Sequence, residues 1–217
     1  MKLHLNILPI AQQKLWTMFN TIPKEFILYG GTAIALQLGH RISVDFDFFS
    51  ETPLNKEHLL NAFPLLTQHT LVQPEINTID SFIELPEGMV KLQFLCGLGQ
   101  RQKRIAPFTM AKDNNIQIAS LYDLFATKLN TIQHRAQCKD YLDIHALINS
   151  GITLEQGLAC AIAVYGTSFD PASSLRALCS YRDGDLTELD MLIQRQLSTL
   201  AVAIEKIPSA ESFLNKK

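Results

Sequence analysis

The sequence predicts an α+β protein in two parts, on three observations. Up to about Gln117, short strand-like runs alternate with Gly and Pro punctuation and few long periodic stretches. Beyond Ser120, apolar residues recur at helical spacing almost without interruption. Between Arg41 and Phe48 the chain alternates apolar and polar residues with period two, the pattern of a half-buried strand. The expected division is therefore 1–117, a core of mixed strands and helices, and 118–217, a helical C-terminal domain.

Each element has its own reason. Ala11 to Asn20 reads as an opening helix, and Glu25 to Tyr29 as a short apolar strand. Gly30-Gly31 makes a turn, and Thr32 to Leu38 a helix running away from it. Ile42 to Phe49 is the clearest strand. A helix around Lys56 to Leu66 is interrupted by Pro64. Two or three further strands follow, near Asn77 to Leu85 and Met89 to Leu95, with Gly88 at the turn between them. In the second half, Ser120-Leu-Tyr-Asp123 and Thr153-Leu-Glu-Gln156 resemble capping boxes. Helices are expected at about 120–133, 138–149, 153–164, 171–180 and 185–206, with Pro171 in a first turn and Gly151 at a stop.

Composition narrows the class. A chain of 217 residues, 47% hydrophobic and 18% charged, is an ordinary globular protein outside the disordered range. Its formal charge of −2 makes it no polyelectrolyte magnet, so any nucleic acid would be held by a local patch. Cys96, Cys138, Cys160 and Cys179 show no C-x-x-C spacing, which reads as reduced thiols in a cytosolic protein. No stretch approaches the roughly 18 apolar residues of a membrane span, and the N-terminus lacks an apolar core segment. A cytoplasmic protein without a membrane partner is expected. The histidines show no metal-binding spacing, and there is no G-x-S-x-G elbow.

The strand at Arg41 to Phe48 concentrates the chemistry. Period two puts Ile42, Val44, Phe46 and Phe48 on one face and Arg41, Ser43, Asp45 and Asp47 on the other. Two aspartates one pleat apart repel each other, and Asp is disfavoured in strands. A divalent cation removes the conflict, since magnesium takes one or two carboxylates together with water and substrate phosphates. A solvated edge strand is the plainer account of a bare Asp-x-Asp. Upstream, however, lies a strand, Gly30-Gly31-Thr32 and a helix. Glycines let the backbone approach a phosphate, and helix N–H groups attract it.

Gly30-Gly31-Thr32 followed by Arg41-Ile-Ser43-Val-Asp45-Phe-Asp47 resembles the first signature of polymerase-beta-like nucleotidyltransferases, and more narrowly that of the AbiEii/AbiGii abortive-infection toxin family. Downstream, the stripe Leu121, Leu124, Phe125, Lys128, Ile132 places Lys128 among apolar residues, where a lysine either snorkels to the rim or is held near an anion. Asp140 and Asp143 share a helix face, and Lys139 with Asp143 has the spacing of a surface ion pair worth about 0.2–0.5 kcal/mol. The run Lys128 … Arg135 … Lys139-Asp140-Tyr-Leu-Asp143 is similar to the same family's second signature.

The resemblance, which covers about Phe26 to Ile148, implies a nucleotidyltransferase-type mixed β-sheet with flanking helices followed by an α-helical C-terminal half that completes the nucleotide site. It implies a nucleotidyltransferase using a nucleoside triphosphate and magnesium or manganese. Asp45 and Asp47 would ligate the metal. Gly30, Gly31, Thr32, Arg41 and Ser43 would line the phosphate site, and Lys128 would contact the triphosphate. Asp140 would be an essential acid, supported by Arg135, Lys139 and Asp143. RNA, in particular tRNA, is the implied acceptor, and an antitoxin the implied protein partner. Arg101-Gln-Lys103-Arg104 is the basic cluster that could meet a phosphate backbone, or else a polar hairpin tip. A small-molecule, antibiotic-type nucleotidyltransferase and a non-catalytic nucleotide-binding homologue remain alternatives. The sequence departs from the wider superfamily where a third carboxylate is expected on a later strand: Val90 to Leu95 presents Lys91 and Gln93 there, and the nearest acid on the preceding strand is taken as Glu84.

Overall fold

The computed structural model describes residues 2–68, 70–98 and 103–214. The chain divides into two compact units: Met1–Lys103 with Pro107–Ser120, and Arg104–Ala106 with Leu121–Lys217. Among the described residues, no single helix is long and apolar enough to cross a membrane.

The first unit is built on a seven-stranded sheet. Its strands are β1 (Ile27–Tyr29), β2 (Asp45–Phe49), β3 (Thr70–Glu75), β4 (Thr78–Leu85), β5 (Gly88–Leu95), β6 (Thr109–Met110) and β7 (Gln117–Ile118), with α1 (Ile10–Trp16), α2 (Gly30–Leu38) and α3 (Lys56–Ala62) beside them. The spatial order is β3-β4-β5-β2-β1-β7-β6. β2 runs parallel to β5 and antiparallel to β1, and β1 runs parallel to β7, so the sheet is mixed.

What holds β2 in its central place is the aromatic half of its alternation. Phe46 and Phe48 are fully buried, as are Phe19 and Phe94. Phe19 meets Phe46 edge-on at 4.8 Å, and Phe48 stacks on Phe94 at 5.2 Å. Such pairs add about 0.5–1.5 kcal/mol beyond the area they bury. With this face locked into the core, the odd-numbered residues Asp45 and Asp47 are committed to the other face.

The strand is shorter than its period suggests. Ile42 and Val44, expected in the core beside Phe46 and Phe48, are 68% and 49% exposed. β1 ends at Tyr29, paired with Asp47, and the chain then turns into α2 at Gly30, leaving the segment before Asp45 without a β1 partner. Ser43 turns inward instead, and Gln12 Nε2 donates to the Val44 carbonyl at 2.9 Å. The glycines are likewise the first two residues of α2 rather than a separate turn.

The second unit is helical: α4 (Leu121–Thr131), α5 (Cys138–Asn149), α6 (Leu154–Tyr165), α7 (Pro171–Ala177), α8 (Met191–Val202) and α9 (Glu211–Leu214). The expected capping box is present, with Thr153 accepting from the Gln156 N–H and Gln156 reaching back to Thr153. Pro171 opens α7 behind an Asp170 cap, and Gly151 follows α5 with φ +101°. The single helix expected over 185–206 is instead a 3-10 turn, Leu186–Glu188, and then α8 behind Asp190, whose carboxylate accepts from the Leu192 N–H. Asp123 reaches out of its own helix. Its buried carboxylate accepts the N–H groups of Ile105 and Ala106 at 2.9 and 3.3 Å, which joins that short segment to the helical unit.

Candidate active site

In the sheet unit, the structure gathers the residues of the first signature around the junction of β1, α2 and β2. Asp45 and Asp47 lie one pleat apart, both half-buried. Gly30 has φ +71°, and a Cβ placed there would stand 2.1 Å from Asp47 Oδ2. The glycine thus serves both a left-handed backbone and the close approach of a carboxylate to the first turn of a helix. That turn has no side-chain cap, and the opening N–H groups of a helix lack partners within it.

Thr32 and Ser43 occupy the interior side of the same junction. Thr32 is 1% exposed and Ser43 7%. Their hydroxyl oxygens are 2.7 Å apart, and Thr32 also hydrogen-bonds the Asp45 carbonyl. In this arrangement the two hydroxyls tie the helix start to the aspartate strand. Arg41 donates to the Ile42 carbonyl at 3.0 Å from a half-buried position ahead of the strand.

The donor chemistry fits a divalent cation: two carboxylates on one sheet face, beside backbone N–H groups able to meet phosphate. Lys91 lies opposite Asp45 and Gln93 opposite Asp47 on β5, so neither neighbouring position supplies a third carboxylate. Glu84, taken from sequence as the nearest acid, pairs with Met89 toward the far end of β4. The acid that the register brings nearest is Asp80, opposite Gln93. Period two already set Asp80 apart from buried Ile79, Ser81 and Ile83, but only the strand order shows what it faces.

In the helical unit, the second signature forms a buried ionic network. Lys128 Nζ lies 2.7 Å from Asp140 Oδ1 and 2.7 Å from Asp143 Oδ2. Arg135 grips Asp140 with two bonds, Nε to Oδ2 at 2.8 Å and Nη2 to Oδ1 at 3.1 Å. Asp140 and Asp143 are fully buried, Lys128 nearly so, and the Arg135 side chain is 46% exposed. Burial pushes the Asp140 carboxyl up, but the hydrogen bond from Arg135 and the charge of Lys128 outweigh it and hold the group below the ordinary carboxylate range. The anion beside Lys128 is therefore this aspartate pair. The Lys139–Asp143 surface pair is not formed: Asp143 faces inward to Lys128, while Lys139 is exposed. In the basic cluster, Arg101 and Gln102 lie outside the described residues, and Lys103 is exposed.

Comparison with known proteins identifies the family. Residues 16–206 match the family described as "Nucleotidyl transferase AbiEii toxin, Type IV TA system". An uncharacterized protein of Aquifex aeolicus (strain VF5) is 30% identical over 129 residues, which are 58% of this chain and 59% of that protein. Among solved structures, a candidate nucleotidyltransferase from H. pylori is similar with a TM-score of 0.57 at 16% identity, covering 89% of this chain and 93% of that one. MenT4, a nucleotidyltransferase toxin from Mycobacterium tuberculosis H37Rv, has a TM-score of 0.56 at 13% identity, covering 93% and 85%. At these identities the two structures speak for the fold. With the family match spanning most of its length, and with both signatures folded as described, the chain belongs to the AbiEii toxin family of nucleotidyltransferases.

Proposed function

We propose that this nucleotidyltransferase moves a nucleoside monophosphate from a nucleoside triphosphate to RNA, with tRNA the leading acceptor, as the toxin component of a toxin–antitoxin pair in the cytoplasm. The observation that carries the reading is the placement of Asp45 and Asp47 on one sheet face with Gly30 pressed against Asp47 at the start of α2. Asp45 and Asp47 would hold magnesium or manganese. When bound, such an ion supplies charge neutralisation for the polyphosphate and its leaving group.

The chain's own groups then act by position and charge. The N–H groups of Gly30 and Gly31 meet phosphate oxygens at the helix start. Thr32 and Ser43 keep that start against the aspartate strand. In the transfer, the acceptor hydroxyl oxygen bonds to the α-phosphorus as the bond from that phosphorus to the pyrophosphate oxygen breaks. The hydroxyl proton passes to a base or to water. In the helical unit, the family's second signature assigns Lys128, Arg135, Lys139, Asp140 and Asp143 to the nucleotide; with Lys128, Asp140 and Asp143 buried in their own network, Arg135 and Lys139 are the members of that set that reach solvent. Arg135 is the half-exposed cation of that network, with Lys128 behind it holding Asp140 and Asp143 in place. RNA, the antitoxin and the toxin role rest on family membership, which supports them without naming the acceptor.

The test is calorimetric titration of each nucleoside triphosphate with magnesium into wild type and into Asp45→Ala/Asp47→Ala. Magnesium-dependent binding of at least one triphosphate, lost in the double variant, is expected. Labelled-nucleotide transfer to total tRNA should follow the same pattern. Equal binding by both proteins would remove the metal assignment. Transfer to a small aminoglycoside-type acceptor but not to RNA would favour the small-molecule alternative.

A further inference from the structure

The sheet carries a row of polar side chains next to the aspartate strand that the two-carboxylate site does not use. β5 sets Lys91 opposite Asp45 and Gln93 opposite Asp47, and β4 sets Asp80 opposite Gln93. Residues directly paired across strands share a face, so Asp80, Gln93, Lys91, Asp45 and Asp47 all stand on one side of the sheet. Asp80 is engaged twice. Gln93 Nε2 donates to its Oδ1 at 2.7 Å, and Lys91 Nζ lies 3.6 Å from its Oδ2.

Lys91 stands between two possible anionic partners. Its ion pair is with Asp80 on one neighbouring strand, while Asp45 is its register partner on the other. Neighbouring strands lie about 4.8 Å apart, within easy reach of a lysine stem. An ammonium turned toward Asp45 would hold that carboxylate against any cation that needs it. The Gln93–Asp80 bond likewise decides how the amide beside Asp47 is oriented, with its NH2 group directed to β4.

We propose that Asp80 is a positioning residue for the nucleotidyl-transfer site: by binding Lys91 and Gln93 it keeps the Lys91 ammonium from competing with a divalent cation for Asp45. This rests on the metal reading of Asp45 and Asp47. Asp80 acts through its neighbours and does not itself touch the metal or the nucleotide.

The test reads metal affinity directly, by water-proton relaxation during Mn2+ titration of the full chain. The proteins compared are wild type, Asp80→Asn, Asp80→Asn/Lys91→Met, Lys91→Met and Asp45→Asn. An opposite charge arriving beside a carboxylate stabilises its ionised form by tenfold or more, so Asp80→Asn should weaken Mn2+ binding by about tenfold. Removing the competing lysine should return the double variant to within about threefold of wild type. A purely structural role for Asp80 would not be repaired by taking away a second side chain. Lys91→Met alone, which keeps Asp80, should bind Mn2+ at least as tightly as wild type, and weaker binding would overturn the proposal. So would Asp80→Asn binding like wild type, or a double variant as weak as Asp80→Asn. If wild type binds Mn2+ no better than Asp45→Asn, the metal reading itself fails and this inference falls with it. If Asp45→Asn loses binding while Asp80→Asn keeps it, only the inference fails.

Discussion

Alanine at Gly30 would separate the stability of the sheet unit from the geometry of its site. Two effects follow from the substitution. The backbone there has φ +71°, and an L-residue in that region costs about 1–2 kcal/mol. For a chain of this size, melting shifts by about 2–4 °C per kcal/mol, so a fall of about 2–8 °C is expected. The new Cβ would also stand 2.1 Å from Asp47 Oδ2 and 3.0 Å from its Cγ. The end of an aspartate side chain can rotate away for about 0.5–1.5 kcal/mol, which at the same conversion lowers melting by about a further 1–6 °C. The clash also moves the carboxylate off its position. Misplacement by about 1 Å costs on the order of a hundredfold in rate, and the transfer rate should fall by about that much. Scanning calorimetry gives the melting temperature, and release of pyrophosphate from each triphosphate with magnesium and total tRNA gives the rate. A variant that melts lower yet transfers within about threefold of wild type would refute the argument that Gly30 is there to admit Asp47.

Two other expectations concern the helical unit. Lys128→Met would leave Asp140 and Asp143 buried without their shared cation; breaking such a pair costs about 3–5 kcal/mol, measurable as a fall in urea midpoint, and a loss below about 1 kcal/mol would contradict the buried network. Asp140 titrates lower folded than unfolded, where an aspartate sits near about 3.9, so its contribution is fully present above that value and is lost as pH falls through the folded one. Asp140→Asn should therefore flatten the acid limb of stability below about pH 4 and leave its slope near pH 7 unchanged; identical acid limbs in the two proteins would refute this.

Much of the fold was legible because it is written in local periods. The apolar spacing from Ser120 onward located α4, α5 and α6 closely, and Thr153 to Gln156 announced its cap. The first-signature residues Gly30, Thr32, Ser43, Asp45 and Asp47 are picked out by the family resemblance, and the structure brings them together at one junction. The reading failed where a period outran its partner. Alternation continues through Ile42 and Val44, but a strand needs a neighbour, and β1 stops at Tyr29. The 3-10 turn at Leu186–Glu188 was missed because Asp190 caps a new helix within what looked like one.

What the sequence determined by itself was the α+β class, the helical second half, the two aspartates sharing a face and the lysine set in an apolar stripe. Each depends on residues only a few positions apart, where the pitch of a helix or the pleat of a strand dictates direction. The tertiary structure decided who stands beside whom. It ran β2 parallel to β5 and so put Lys91 and Gln93 against the aspartates, with Asp80 behind them. It also buried Asp140 and Asp143 around Lys128. Strand order and helix docking are set by how the whole apolar surface packs away from water, and that sum over distant residues leaves no period in the chain.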